Sequence, residues 1–558
     1  FAELEKSPEH LHTYRITPLS LWNAASAGFT GDDALNVLNS FSRFPVPQAV
    51  SFWIKDTCGK FGKLRLYQIL PAEENNESAA NVQEAASNKQ NDDFADYLCL
   101  ECASEAIFKE LAAAKQLTDL LFVNKAFKNT FWVRLIDRGT VKQKLLQLGW
   151  PVKDEVPLKD GEKLEFELRT TCQSGKEFAV RDYQKNAAAG LVGDKGPGTG
   201  FGTIVLPCGA GKTIVGMQIM SLLQTSTLIV TTNISAVHQW IAELLDKTSL
   251  LPEQIGEYTG EQKIIKPVTV ATYQVLTWRA GQEDNYPHFK IFRERAWGLI
   301  IYDEVHLLPA PVFRITAELQ TVRRVGLTAT LVREDGCEGH VFSLVGPKRF
   351  DVPWKELECS GWIAEAECVE LRINLPENKE IEYAVANQRQ KHKIASDNAD
   401  KLPIAKTICS IFPEDKILII GQYIEQLEKI AKDLNVPLIT GKTPNAERDR
   451  IYAAFKSGEN RIIVVSKVAN FAIDLPDASI AIQISGTFGS RQEEAQRLGR
   501  ILRPKQRKAR FFTLITANTV EEEFGSHRQK FLAEQGYDYR ILKYTDDEQL
   551  KTDILEEN

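Results

Sequence analysis

The stretch Leu206-Pro207-Cys208-Gly209-Ala210-Gly211-Lys212-Thr213 constrains this chain more than any other. An apolar run, Gly202-Thr203-Ile204-Val205-Leu206, comes just before it, and an apolar-periodic run from Ile214 to Leu223 comes just after. That order predicts strand, tight loop and helix. Gly209 and Gly211 let backbone N–H groups turn inward around a phosphate, and the helix starting near Lys212 points its positive end at the same anion. Lys212 is expected at the β- and γ-phosphates and the Thr213 hydroxyl at Mg²⁺, with Leu206, Pro207, Cys208 and Ala210 completing the cradle. Leu206 stands where such loops ordinarily carry their first glycine.

A second stretch supports the same chemistry. Trp297-Gly298-Leu299-Ile300-Ile301-Tyr302 reads as a buried strand and runs into Asp303-Glu304-Val305-His306. A carboxylate at the tip of a parallel strand beside a phosphate loop can hold the Mg²⁺ shell, which is the expectation for Asp303. Glu304 is expected to orient and deprotonate the attacking water. The pair predicts hydrolysis of a nucleoside triphosphate.

Around these motifs, apolar runs recur at Thr227–Thr231, Val268–Ala271 and Arg324–Leu327, with helical segments between them. This alternation predicts an α/β domain with a mostly parallel sheet over residues 171–355. Arg181-Asp182-Tyr183-Gln184 opens an amphipathic helix, and the Gln184 amide has the donor and acceptor to read an adenine edge beside Arg181. Thr232 and Thr272 fall at strand ends on the ligand side, where hydroxyls can hold nucleic-acid phosphates.

Residues 356–558 repeat the sheet pattern at Ala366–Ile373, Lys416–Ile420, Arg461–Val465, Ile480–Ile484 and Arg510–Ile515, without a second phosphate loop. A polar helical insertion is expected near 376–403. Gln496-Arg497-Leu498-Gly499-Arg500-Ile501-Leu502-Arg503 reads as a helix that puts Arg500 and Arg503 on one face. Brought against the γ-phosphate of the first domain, with Gln496 beside them, they would act as arginine fingers; a solvated basic helix is the plainer alternative.

The N-terminal part reads differently. Residues 1–70 hold three short helical patterns and a strand pattern, Gly62 to Tyr67, resembling a winged helix that either contacts DNA or a partner or simply packs. Residues 71–96, rich in Glu, Asn, Ala, Ser and Gln, are expected to be a disordered linker. Residues 97–170 form a further α+β unit. There Lys125, Phe127, Lys128, Phe131, Trp132 and Arg134 interleave as in single-strand binders, although a half-buried strand with Phe and Trp inside explains them as well. Cys99 and Cys102 have metal-ligand spacing but no second pair nearby, so a buried helical pair is expected instead of zinc.

Nine cysteines, an odd number with one inside the phosphate loop, fit a reducing compartment, so a cytoplasmic, nucleoid-associated setting is expected. No run of 18 apolar residues is present, so no membrane partner is expected. Phe1 opens the chain, which is read as lacking its native start, and nothing present reads as a signal peptide. The net charge of −7 argues against coating DNA by bulk charge but leaves room for a local basic stripe.

Together these motifs resemble the XPB-type superfamily 2 DNA repair helicases, in particular bacterial and archaeal members. The resemblance is carried by residues 206–213, 301–306, Gly326-Leu-Thr-Ala-Thr330 and Gln492 to Arg500, and by Arg333-Glu334-Asp335, which matches the family's strand-separation loop. It implies two tandem RecA-like domains behind small α+β domains, ATP and Mg²⁺ as cofactors, and 3′→5′ action on duplex, forked or damaged DNA. It also implies that His306, with Thr328 and Thr330, couples nucleotide state to DNA grip, that 97–170 is damage-recognition-like, and that the 376–403 insertion is thumb-like. A repair nuclease or a repair complex is the implied protein partner. Two rivals remain open: a duplex translocase that does not part strands, and a DNA-binding or annealing scaffold with weak ATPase.

Overall fold

The computed structural model describes residues 1–6, 13–68, 97–124, 126–196, 198–207, 209–279, 286–329, 338–352, 354–362, 366–466, 478–485, 509–522, 525 and 538–555. The expected linker at 71–96 and the expectations for Cys208, Thr330, Arg333, Glu334, Asp335, Gln496, Arg500 and Arg503 therefore lie outside the described residues. The chain divides into two compact units. One comprises Phe1–Glu3, Ile16–Val205 and Thr213–Asp351, and the other Leu4–Arg15, Leu206–Lys212 and Val352–Asn558.

The first unit is built on a seven-stranded sheet. Its order is Ile255–Tyr258, Val268–Thr272, Thr227–Thr231, Leu299–Asp303, Arg323–Thr328, Phe201–Val205 and Lys348–Asp351, every neighbouring pair parallel. Its central strands are buried on both faces, which is why they read as continuous apolar runs. The outer strands Ile255–Tyr258 and Lys348–Asp351 lack that signal. Lys348-Arg349-Phe350-Asp351 carries three charges in four residues, as an edge strand tolerates.

The same unit holds the N-terminal helices Pro18–Ser26, Gly31–Phe41 and Gln48–Lys60. Thr17 and Ser20 cap the first reciprocally, each side chain accepting the other's backbone N–H at 3.0 Å. Thr30 and Asp33 do the same for the second helix. Leu21, Leu35 and Ile54 form their small core.

The strand Leu64–Tyr67 corrects a boundary. It does not complete the three helices; it pairs antiparallel with Tyr97–Cys102 and parallel with Val152–Asp154. The resulting five-stranded sheet runs Phe122–Val123, Thr130–Arg134, Tyr97–Cys102, Leu64–Tyr67, Val152–Asp154. Leu64 and Leu66 are fully buried on one face, so the strand's apolar side needs this sheet's core. Cys99 and Cys102 are likewise a strand pair, not a helical one. Burial pushes both thiols up to about 12, where they stay protonated. Phe131 stacks on Phe108 at 4.4 Å within that core, while half-buried Trp132 meets Tyr97 edge-on from the opposite face.

A buried charged cluster fastens this sheet to the larger one. Arg138 grips Asp154 through two bonds of 3.0 and 2.7 Å. Lys142 Nζ donates to Asp154 and to Gln320 Oε1, both at 2.8 Å. Arg324, on the large sheet, donates to the same Gln320 oxygen at 2.8 Å and lies over the Phe201 ring at 4.9 Å. Burial alone would raise Asp154, yet the Arg138 and Lys142 cations outweigh it and hold the carboxyl below its ordinary range. Burial, with the Arg324 and Arg138 guanidiniums alongside, pulls the Lys142 ammonium down to about 7.

The second unit has its own all-parallel seven-stranded sheet. The order is Leu438–Ile439, Ile462–Ser466, Ile417–Gly421, Ile480–Gln483, Ala509–Thr516, Ala366–Ile373 and Asp538–Lys543. Helices Glu377–Val385 and Gln388–Ser396 follow its Ala366–Ile373 strand, where the polar insertion was expected, and the core-packed helix Lys401–Ile411 comes next. Buried Lys401 anchors them, donating to Glu521 at 2.7 Å and to the Ile484 carbonyl at 3.0 Å.

Replacing Asp154 by Asn keeps the shape but leaves Arg138 and Lys142 buried without their counter-charge. We expect a loss of about 3–5 kcal/mol from the first unit, read from its urea midpoint. A loss below about 1 kcal/mol would mean the cluster does not hold the two sheets together.

Candidate active site

Parallel strands bring all their C-terminal ends to one edge, where a ligand can reach loop backbone. Within the first unit, Asp303 pairs with Leu327, and Thr328 pairs with Val205. Asp303, Thr328 and the strand leading into the phosphate loop thus end side by side. Two strand spacings, about 10 Å, separate the outer two. Thr213 stands in the first turn of helix Lys212–Leu223.

Gly209 and Gly211 both adopt φ near 80°, in the left-handed region that glycine enters without steric cost. The Ala210 N–H donates to the Pro207 carbonyl at 3.2 Å and tightens the turn. Leu206, Pro207 and Ala210 are buried, Gly209 is exposed, and Lys212 and Thr213 are half-buried. Leu206, in place of glycine, is fully buried and packs as a core side chain.

Asp303 is held from two sides. Its Oδ2 accepts Trp240 Nε1–H at 2.9 Å and faces Thr231 Oγ1 at 3.5 Å, and its Oδ1 accepts the Glu304 N–H at 3.1 Å. Tyr273 Oη donates to the Asp303 carbonyl at 2.9 Å. Glu304 sits at φ 50°, ψ 54°, a left-handed conformation in a residue with a side chain. Such a conformation costs about 1–3 kcal/mol and persists only where its surroundings enforce it.

His306 joins the next strand end. Its Nδ1 makes a 2.7 Å hydrogen bond with Thr328 Oγ1 and lies 3.4 Å from Glu304 Oε2. His306 and Thr328 are buried, so the contact is shielded from water. The acid, the histidine and the threonine form one chain of polar contacts across two adjacent strand ends. Tyr302, just before Asp303, stays apart from proton traffic. Burial pushes its phenol up to about 12, and the hydroxyl pairs with Thr316.

Gln184 is buried near the start of helix Asp182–Val192. Its Oε1 accepts the Arg181 N–H at 3.0 Å and its Nε2 donates to Tyr183 Oη at 3.4 Å, which fixes the amide plane. The Arg181 guanidinium donates to the same phenol oxygen at 3.2 Å. Thr232 is half-buried and accepts from Asn233 Nδ2 at 2.9 Å. Thr272 is different from its expectation: it is buried, and its hydroxyl caps the helix Tyr273–Leu276 by accepting the Val275 N–H. That engagement places it behind the surface as a positioning group. Trp240 was not anticipated, because it reads in sequence as an ordinary apolar helix position.

An oxygen-only donor set, the Thr213 hydroxyl and the Asp303 carboxylate, fits a hard divalent cation such as Mg²⁺. Residues 357–557 match the family described as ERCC3/RAD25/XPB C-terminal helicase, residues 1–126 a helicase conserved C-terminal domain, and residues 177–333 the type III restriction enzyme res subunit. The chain is 46% identical to the DNA 3′-5′ helicase XPB of Mycobacterium tuberculosis over 549 residues, covering 98% of this chain and 93% of that protein. It is also 46% identical to the DNA 3′-5′ helicase XPB of Kineococcus radiotolerans, over 98% of this chain and 92% of that protein. The XPB/SSL2 helicase/translocase subunit of general transcription and DNA repair factor IIH from Saccharomyces cerevisiae is 30% identical over 97% of this chain and 69% of its own length. With two parallel-sheet helicase domains and relatives that it matches along nearly its whole length, the chain belongs to the XPB family of superfamily 2 DNA helicases.

Proposed function

We infer that this chain is an ATP-dependent DNA helicase that moves 3′→5′ and serves DNA repair. The contact that carries the mechanism is His306 to Thr328, with Glu304 beside the histidine. It links the carboxylate expected to act on water to the end of a neighbouring strand, so a shift of either is felt by the other.

Lys212 and the backbone of Gly209 to Thr213 are assigned to the β- and γ-phosphates of ATP, with Leu206, Pro207 and Cys208 shaping the loop. Thr213 and Asp303 are assigned to Mg²⁺, which when bound neutralises developing phosphate charge. Glu304 orients the attacking water and takes its proton. The strained Glu304 backbone supports this assignment, since strain of this kind gathers at working residues. Gln184 and Arg181 are assigned to adenine, their positions already fixed by Tyr183. Gln496, Arg500 and Arg503 keep the role of γ-phosphate contacts proposed from the sequence. Arg333, Glu334 and Asp335 are proposed to part the strands, and Thr330 to work with Thr328 in coupling.

DNA is the macromolecular substrate. The three helices within residues 1–70 are proposed as the winged-helix-like module, and residues 97–170, whose sheet takes in the strand Leu64–Tyr67, as the damage-recognition-like one. A repair nuclease or repair complex is the protein partner we favour, as the yeast relative is itself a subunit of factor IIH. Among the described residues no helix is long and apolar enough to cross a membrane. A cytoplasmic, nucleoid-associated site of action is proposed with it.

Strand displacement on 3′-tailed, 5′-tailed and forked DNA tests the activity. The wild type should displace from 3′-tailed and forked substrates with ATP and a divalent cation, and Lys212→Ala should lose at least about 100-fold. Duplex-stimulated ATPase without displacement would favour a translocase, and the loss of neither in Lys212→Ala would remove the motor reading.

Glu304→Gln keeps size and hydrogen bonding but cannot take a proton. Nucleotide affinity should hold while turnover falls by about 10²–10⁴, measured by binding of a fluorescent ATP analogue and by phosphate release. Near-normal turnover would refute Glu304 as the base.

A further inference from the structure

At the edge of the large sheet in the first unit, three side chains from separate places in the sequence converge. His238 lies on helix Ile234–Lys247, Glu257 on the edge strand Ile255–Tyr258, and Glu261 just beyond that strand. One donor atom from each lies within 4.8 Å of the others. We propose that His238, Glu257 and Glu261 bind a divalent transition-metal ion of the zinc class, clamping the edge strand to the helix beside it.

The first argument is charge. Glu257 is 8% exposed, and a buried carboxylate is ordinarily paired with a cation or bound to a metal. Among the described residues its ion-pair partner is His238, which is charged only when protonated. Lys263 follows closely in the chain, yet its ammonium donates to the Thr259 carbonyl and stands over the Tyr258 ring. With neutral His238 the three side chains carry two negative charges, which suits a doubly charged ion.

The second argument is distance. His238 Nε2 lies 3.3 Å from Glu257 Oε2. Two donors each about 2.0–2.1 Å from a tetrahedral ion stand about 3.3 Å apart, so this pair is already spaced as two ligands. Glu261 is exposed and closes the remaining gap by a side-chain rotation.

The third argument is support from behind. Thr259 donates its hydroxyl proton to Glu257 Oε1 at 2.7 Å, leaving Oε2 for the ion. The same hydroxyl oxygen accepts the Glu261 N–H at 3.1 Å and so sets the direction of the third ligand. Hydrogen bonds of this kind orient carboxylate ligands in metal sites. One imidazole and two carboxylates favour Zn²⁺, Co²⁺ or Mn²⁺ over an ion held by oxygen alone. The site is distinct from that assigned to Mg²⁺, because the edge strand lies three strands from Leu299–Asp303, about 14 Å.

The test uses the full chain, stripped with a chelator and kept free of nucleotide. Zn²⁺ is titrated by calorimetry, and Co²⁺ is followed by its visible absorption. His238→Ala and Glu261→Gln are compared with the wild type; both positions are exposed, so the substitutions spare the core. The wild type should bind one more ion per chain than either variant, each variant losing at least about tenfold in affinity, and Zn²⁺ should raise the wild-type Tm selectively. Equal binding by all three proteins, or wild-type binding weaker than about 0.1 mM, would overturn the site.

Discussion

The register between Leu299–Asp303 and Arg323–Thr328 decides what can happen at the edge of the first sheet. With Asp303 opposite Leu327, the next residue on one strand is Thr328 and the segment after the other carries Glu304 and His306. The histidine spans that junction with one short hydrogen bond. A slip of one residue would turn every side chain on one strand to the opposite face and break the contact. The core on both sides opposes it: Leu299, Ile301, Val325 and Leu327 are buried on one face and Ile300 and Tyr302 on the other.

Pinning by burial explains how a strained residue can persist. Glu304 holds a left-handed backbone between a strand with no freedom and a histidine anchored on its neighbour. Asp303 is held in turn by Trp240, from a helix packed on the same sheet. Away from this edge, a different device secures the unit. The Arg138–Asp154–Lys142 cluster meets Arg324 through Gln320 and fastens the five-stranded sheet behind the seven-stranded one. Burial, with the Arg324 and Arg138 guanidiniums alongside, lowers the Lys142 ammonium there against the pull of Asp154. The Asp303–His306 contacts and this cluster are separate polar networks on one sheet.

Much of this was legible in the sequence because the informative residues are of extreme types. Glycines at 209 and 211 are needed where φ is positive, and both central sheets announce themselves through uninterrupted Ile, Val and Leu. The edge strands were not legible, since half-exposed strands such as Lys348–Asp351 mix charge with apolar residues. The Leu64–Tyr67 strand was visible but its partners were not, because pairing across a gap of about thirty residues leaves no local signal. Cys99 and Cys102 read as helical at i, i+3, whereas the strand sends them to opposite faces. Thr272 looked like a surface hydroxyl, and only its capping bond to Val275 shows it turned inward. Trp240 carries a polar N–H that an apolar helical pattern conceals.

The central claim is that ATP is hydrolysed at the C-terminal edge of the first sheet. A crystal structure of the chain with Mg²⁺ and a non-hydrolysable ATP analogue tests it most directly. The terminal phosphates should lie against the backbone of residues 209–213 and Lys212, with the cation at Thr213 and Asp303 and the Gln184 amide at adenine. A nucleotide bound elsewhere, with these residues bare, would contradict the account.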